Sequence, residues 1–170
     1  MVSKKLIVAL NKQLNREFYS GLLYLGMAGF VESLGYKGAA KWYKVQFHEE
    51  NYHAMKLYEY ILSRGAEIEF YDIERPIRNF DTLEDSFKKT LEHEQHVTLL
   101  INDLMNLAVE EKDHAAQIFL QWFVLEQVEE EDNVTDILKR IELLEGDKKA
   151  LYMLDDELGQ RVLNTPVDFS

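Results

Sequence analysis

The stretch AEIEFYDIERPIRNFD, residues 66–81, decides the fold because it is the longest internal segment without a helical pattern. It contains Pro76, and the alternation of polar and apolar residues at 67–70 favours an extended chain. Sixteen extended residues reach ~50 Å, whereas a helix of about 28 residues is ~42 Å long. The segment can therefore run the full length of a helix bundle, which would make the helices before and after it parallel.

Long helices are predicted on both sides of this segment, because only 8 Gly and 2 Pro interrupt the 170 residues. The first helix should run from about residue 3 to 34, and the second from about 38 to 65. The third follows the capping motif Asp81-Thr82-Leu83-Glu84 and ends near 112. Asp113 can cap a fourth helix that continues to 146, and Asp147 can cap a short fifth that ends near 159.

The predicted fold class is all-α: a four-helix bundle with one long crossover between helices two and three, plus a short fifth C-terminal helix. We expect a single domain over 1–170, with the bundle at about 3–145, the fifth helix at about 147–160 and a tail at 161–170. Leucines at helical spacing in the fifth helix need an apolar surface, either on their own bundle or on symmetry mates.

Composition excludes several classes of function. Acidic residues number 31 and basic residues 19, and the resulting charge of −12 argues against a nucleic-acid partner. The absence of cysteine removes disulfides, thiolate zinc sites, iron–sulfur clusters and Cys nucleophiles. Neither a signal-peptide core nor a stretch of ~20 apolar residues is visible. We therefore expect a cytoplasmic protein without a membrane partner.

Each of the four long helices carries polar residues in the apolar stripe that should face the bundle interior. On helix two, a Glu and a His stand three residues apart on one face. Each interruption lies near the middle of its helix, so that all can meet at one level. The interrupting residues are Glu17, Glu50, His53, Glu94, Gln127 and Glu130.

These stripes contain no Lys or Arg that could neutralise the carboxylates. Burying an unpaired carboxylate costs several kcal/mol, and four of them would rival the ~5–15 kcal/mol stability of a whole domain. Protonation could compensate one or two, whereas divalent cations could compensate all. Oxygen ligands with one imidazole and no sulfur suit iron or manganese, and zinc is also compatible. The alternative is that each Glu faces water, which four interruptions at matching depth disfavour.

The sequence resembles the bacterial and archaeal non-haem ferritins over about residues 4–161. The segments that carry the resemblance are LNKQLNREFYSGLLY (10–24), HEENYHAMKLYEY (48–60), EHEQHV (92–97), EEKDHA (110–115) and FLQWFVLEQVEEEDNV (119–134). The resemblance implies iron storage in a homo-oligomeric shell, a 24-mer, with a ferroxidase centre inside each bundle. There, ferrous iron would be oxidised by dioxygen or peroxide and deposited as mineral.

The resemblance also implies which residues bind iron. The first ion would be bound by Glu17, Glu50 and His53. The second would be bound by Glu50, which bridges, and by Glu94 and Glu130, with Gln127 close by. A third, looser position would use Glu49, Glu126, Glu129 and Glu130. Tyr24 could supply an electron or form a hydrogen bond with a ligand, and Trp122 could do likewise.

Other di-iron proteins resemble the chain less. Helix four has Gln127-Val128-Glu129-Glu130 in place of a second Glu-x-x-His, unlike symmetric di-iron bundles. Bacterioferritins carry a haem-ligating Met where this chain has Asn51-Tyr52, so no haem is expected. Two other functions stay open: a di-metal oxidase or oxygenase that acts on an organic substrate, and a non-catalytic helical interaction module.

Some residues outside this centre carry weaker expectations. Four histidines should lie at the surface, namely His48, His93, His96 and His114. The alternating residues 67–70 could pair with the same segment across a twofold axis or form an ordinary exposed loop.

Overall fold

The computed structural model describes residues 3–164, and within them the chain forms five α-helices and no strand. Their bounds are α1 Lys4–Ser33, α2 Lys37–Ser63, α3 Leu83–Glu110, α4 His114–Leu143 and α5 Lys148–Leu158. The predicted fold class is confirmed, and the predicted helix ends differ by a few residues. No helix of the described part combines the length and apolarity needed to cross a membrane. The single domain over 1–170 stays a prediction, and its tail lies outside the described residues from 165 onward.

Side chains cap the helices close to where the sequence predicts. Asp113 accepts a hydrogen bond from the backbone at the start of α4, and Asp147 does the same for α5. At α3 the capping residue is Thr82, whose Oγ1 accepts from the Asp85 N–H at 3.0 Å. Asp85 in turn accepts from the Asp81 N–H at 3.0 Å. The side-chain cap therefore lies at Thr82, one residue later than the motif at 81–84 predicts, and Asp85 bonds the residue before the cap.

Contacts between helices establish their directions. Tyr43, near the start of α2, contacts Ser86 and Thr90 near the start of α3, with oxygen–oxygen distances of 3.2 and 3.0 Å. These two helices therefore run parallel, as the crossover predicts. One apolar cluster joins the end of α1 and the starts of α2 and α3 to the end of α4 and to α5. A second joins the start of α1 to the opposite ends of the other three.

The crossover is held to α1 by two buried asparagines. Asn11 bonds the Glu67 carbonyl and the Glu69 N–H, at 3.1 and 2.8 Å. Asn15 bonds the Glu69 carbonyl and the Tyr71 N–H, at 3.0 and 2.9 Å. The two asparagine side chains thus pair with backbone N–H and C=O groups along one edge of this extended segment, in the place of a neighbouring strand. Pairing of the opposite edge across a twofold axis stays a prediction.

Helix α5 packs on its own bundle, against the start of α2. Tyr36, at the N-cap of α2, makes no side-chain capping bond. Asp155 of α5 takes this role, accepting from the N–H groups of Gly38 and Ala39 at 3.1 and 2.7 Å. Leu154 and Leu158 are buried in the adjoining apolar cluster. Of the two surfaces predicted for α5, its own bundle and symmetry mates, the described chain thus shows α5 on its own bundle.

Candidate metal centre

A buried polar layer separates the two apolar clusters. Carboxylates from all four long helices enter this layer, each less than 4% exposed: Glu17, Glu50, Glu94 and Glu130. His53 and Gln127 lie in the same layer and are also buried. The helices bring these side chains together because each stripe is interrupted near mid-helix. The predicted convergence of acidic residues in the bundle interior is therefore present in the fold.

Three residues of α1 and α2 have the spacing of a cation site. Glu17, Glu50 and His53 each offer one ligand atom, and these atoms lie within 4.8 Å of one another. The His53 Nδ1 atom is 3.6 Å from Oε2 of Glu50. Two carboxylates and one imidazole form a ligand set that suits iron, manganese or zinc.

Three of the carboxylates each accept a hydrogen bond from a buried glutamine amide. Bonds of this kind orient carboxylates and set their basicity. The pairs are Gln13–Glu17 at 2.7 Å, Gln46–Glu130 at 2.9 Å and Gln127–Glu94 at 3.1 Å. The structure thus places the Gln127 Nε2 against Glu94. Helical spacing places Gln46 on the inward stripe of α2 one turn before Glu50, and Gln13 lies one turn before Glu17, but no role for either was predicted from the sequence.

Tyr24 is fully buried beside the centre and donates a hydrogen bond to Glu94. Its ring stacks on Tyr43 with 6.1 Å between centroids. Burial and the charge of Glu94 hold the pKa of Tyr24 well above its usual value, so the phenol keeps its proton. Of the two roles weighed for Tyr24, hydrogen bonding to a candidate ligand is realised here, and the redox role stays a prediction.

Burial makes the carboxylates hold protons. It raises the pKa of Glu17 to about 7, although hydrogen bonds from Gln13 and Glu50 oppose the rise. The pKa of Glu50 is held well above its usual value by burial and then by the charges of Glu94 and Glu17. A bound cation would displace these protons, since metal ligands must be deprotonated.

His53 is neutral and free to act as a ligand. Burial, assisted by the charge of Lys56, lowers its pKa to about 3. Its Nε2 atom is buried and has no hydrogen-bond partner among residues 3–164, and it lies 3.9 Å from Oε1 of Glu126. Trp122 packs edge-on against the His53 ring, 5.3 Å between centroids. Trp122 thus adjoins the histidine, and a redox role for it stays a prediction.

A second acidic cluster opens from the centre into a cavity. His53, Glu126 and Glu130 offer ligand atoms within 4.8 Å of one another. Glu49 and Glu129 join Glu126 and Glu130 in lining a cavity of about 760 Å³. The four carboxylates that the resemblance implies for a third iron therefore face one space. Arg161, which was not predicted as a site residue, lines the same cavity.

His93 is half-buried, where the sequence predicts a surface residue. Its Nε2 atom is 2.8 Å from Oγ of Ser20, and its ring lies 5.8 Å from that of Tyr24. Burial lowers its pKa to about 4. His93 lies in the seam between α1 and α3, where the rings of Tyr19 and Tyr24 pack against it. The other three histidines, His48, His96 and His114, are exposed as predicted.

Fold and site together define a four-helix-bundle protein with a candidate carboxylate–histidine metal centre inside a single subunit. The ferritin-like domain family matches residues 7–144, which is most of the bundle. The chain belongs to the ferritin family of iron-storage proteins.

Individual relatives match over nearly their whole length. The chain is 37% identical to a bacterial non-heme ferritin of Staphylococcus aureus over 164 residues, 96% of this chain and 99% of the relative. It is 39% identical to a probable bacterial non-heme ferritin-like protein of Haemophilus influenzae over 159 residues, 94% and 96% of the two chains. An open pore ferritin from Archaeoglobus fulgidus is 43% identical with a TM-score of 0.94, covering 95% of this chain and 100% of that chain. A humanized archaeal ferritin is also 43% identical with a TM-score of 0.95, covering 98% and 100%.

Proposed function

We propose that this chain oxidises Fe(II) to Fe(III) at a di-iron ferroxidase centre within each subunit. The ferric product is deposited as mineral inside a homo-oligomeric shell, a 24-mer like that implied by the resemblance. The observation that carries this proposal is the burial of four carboxylates at one level beside a neutral imidazole. Such a group is costly without cations and suited to binding them.

Iron is the substrate, and the residues divide into two overlapping sets. Glu17, Glu50 and His53 bind the first Fe(II). Glu50 bridges to the second Fe(II), which Glu94 and Glu130 complete. Each ion gives one electron to dioxygen or peroxide, and anionic oxygen ligands stabilise the harder ferric ion.

Residues that do not bind these two ions directly support the reaction. Gln127 and Tyr24 both donate to Glu94 and hold its carboxylate in place. Tyr24 is also positioned to supply an electron, because it lies next to a ligand. The third, looser iron position uses Glu49, Glu126, Glu129 and Glu130, and no haem takes part.

The two other functions have less support. The cavity beside the centre is lined by six acidic side chains, besides apolar ones such as Trp42 and Trp122. Acidic side chains attract cations, whereas a pocket for organic substrates is predominantly apolar. A non-catalytic interaction module would gain nothing from these buried carboxyls, because their burial lowers the stability of the fold. The cytoplasmic location and the lack of a nucleic-acid partner stay predictions from composition.

Replacing Glu94 tests the proposal. Glu94→Ala removes a ligand of the second iron, and we expect Fe(II) oxidation to slow by about tenfold or more. The rate is measured by oxygen consumption and by the growth of ferric absorbance after Fe(II) is added. Glu92→Ala is the matched control, since Glu92 is an exposed carboxylate on the same helix and should oxidise iron at the parent rate.

Unfolding must be separated from the loss of a ligand. Glu94→Ala leaves the Tyr24 and Gln127 donors unpaired and opens a cavity, so its fold is checked by a thermal melt without metal. Glu94→Gln keeps the volume and an acceptor, and it should melt close to the parent yet oxidise iron as slowly as Glu94→Ala. Equal oxidation rates in a folded Glu94→Ala variant and the parent would remove Glu94 from the mechanism and count against the ferroxidase assignment.

A further inference from the structure

Arg161 lies beside the acidic cavity because α5 is docked on α2. The bonds from Gly38 and Ala39 to Asp155 fasten α5 to the start of α2. Arg161 follows the end of this helix and donates a hydrogen bond to Oε2 of Glu49 on α2. Its guanidinium carbon is 4.4 Å from the centroid of the Trp42 ring. An aromatic face and a carboxylate thus hold the guanidinium in one position.

The cation of Arg161 is shielded from water and acts on the acidic cluster. Its side chain is 19% exposed and that of Glu49 is 12% exposed, so solvent screens this pair less than a surface ion pair. Burial raises the pKa of Glu49, and the charge of Arg161 offsets part of that rise. The charge also acts on Glu130. Arg161 therefore supplies positive charge to the carboxylates that would surround a third iron.

The ion pair between Arg161 and Glu49 can be broken because it contains a single hydrogen bond. Only Nη2 of Arg161 bonds Glu49, and the buried Nη1 has no acceptor among residues 3–164. A guanidinium that used both arms on one carboxylate would be held more firmly. A divalent cation carries twice the charge and can be bound by several carboxylates at once. Such a cation can therefore displace the single-armed contact.

We propose that Arg161 is a built-in competitor for the third iron. It holds Glu49 while that position is empty and must swing out before an ion binds at Glu49, Glu126, Glu129 and Glu130. This inference rests on the proposed function, since it concerns the order in which one subunit binds Fe(II). Among residues 3–164, Glu49 is the candidate ligand that pairs directly with an arginine or lysine, so the third position fills after the two ferroxidase positions.

Neutralising Arg161 tests the competition. In Arg161→Gln the cation is lost while a polar side chain of similar reach remains. Anaerobic calorimetric titration with Fe(II) should then show a third ion whose affinity rises by about tenfold or more. Arg161→Lys keeps the charge and should stay close to the parent.

Arg140→Gln is the matched control for loss of charge. Arg140 lines the same cavity but pairs with Glu157, so its removal should leave the third affinity unchanged. The double variant Glu49→Gln/Arg161→Gln should lose the gain, because the released carboxylate is then missing. Crystals of Arg161→Gln soaked anaerobically with Fe(II) should show an anomalous peak among Glu49, Glu126 and Glu129.

Two results would overturn the inference. One is a third affinity in Arg161→Gln equal to that of the parent, and the other is an equal gain in Arg140→Gln, which would show a general charge effect. Failure of the proposed function has a different signature. The parent itself would then bind no Fe(II) at the first two positions, and Glu94→Ala would leave its oxidation of iron unchanged.

Discussion

At the scale of single residues, the candidate metal centre contains an electrostatic conflict, because its buried carboxylates repel one another. Four carboxyls are buried within reach of one another, and Glu50 experiences the charges of Glu17, Glu94 and Glu130. Without a cation, the fold meets this conflict by holding protons on the carboxyls. Hydrogen bonds from buried amides orient the groups without neutralising them. The same burial that destabilises the metal-free protein favours cation binding by the candidate ligands.

This conflict predicts how stability without metal depends on pH. The pKa of Glu17 is about 7 in the folded protein, against an ordinary value of 4.5, so the folded state holds the extra proton between these pH values. Its contribution of at most about 3 kcal/mol is complete below about pH 4.5 and is lost as pH rises through about 7. The metal-free melting temperature of the parent should therefore fall from pH 5 to pH 8 more steeply than that of Glu17→Gln.

Thermal melts of the two proteins across this pH range, in the presence of a chelator, measure the effect. Comparing the two proteins isolates the centre, because groups distant from Glu17 titrate equally in both. Melting profiles that stay parallel between pH 5 and pH 8 would contradict the protonation of Glu17. Fe(II) affinity should show the opposite trend and weaken as pH falls through about 7, since protons compete with the metal.

At the scale of helices, α5 completes α2. Tyr36 leaves the start of α2 without a side-chain cap, and Asp155 supplies both the acceptor and a negative charge there. The backbones meet so closely that a Cβ atom on Gly38 would lie 1.6 Å from the Asp155 carbonyl oxygen. Glycine is therefore required at this position for the helices to touch.

Gly38→Ala is expected to push α5 off the bundle. The atom it meets belongs to the backbone and cannot rotate away, so we expect a loss of about 1–3 kcal/mol in the free energy of unfolding. Cleavage by a protease between α4 and α5 should also become faster. Gly29→Ala is the control, because nothing in the described chain lies within 4 Å of its added Cβ. Equal protection of α5 in both variants would contradict the close-packing argument.

At the scale of the whole molecule, the subunit is built as two apolar clusters with a polar layer between them. The clusters supply the packing that holds the helices together, and the layer contains the candidate metal ligands. Large apolar side chains also remain exposed on the single subunit, including Leu143 at 80%, Ile118 at 74% and Tyr152 at 70%. Exposed apolar groups of this size are typical of surfaces that other subunits cover.

A large assembly is therefore expected in solution. Twenty-four chains would sediment as a particle of about 480 kDa, and analytical ultracentrifugation at low protein concentration measures this directly. Loading with Fe(II) in air should increase the mass further without changing the number of chains. A stable 20.0 kDa monomer under dilute conditions with iron present would contradict the shell.

Local sequence determined much of this protein. Helix ends could be predicted because glycines and capping side chains act on backbone groups within a few residues. The inward position of Glu17 and Glu94 followed from helical spacing, which depends only on the chain's own period. The length of the crossover determined that α2 and α3 run parallel.

Only the tertiary structure decided the contacts between residues distant in sequence. Arg161 is 112 residues from Glu49, and His93 is 73 residues from Ser20. No periodicity links such positions, because their meeting depends on how helices cross and dock. The sequence by itself therefore determined the helices and the acidic level within them. Packing decided which amides, rings and charges surround that level, since burial and distance exist only once the helices are assembled.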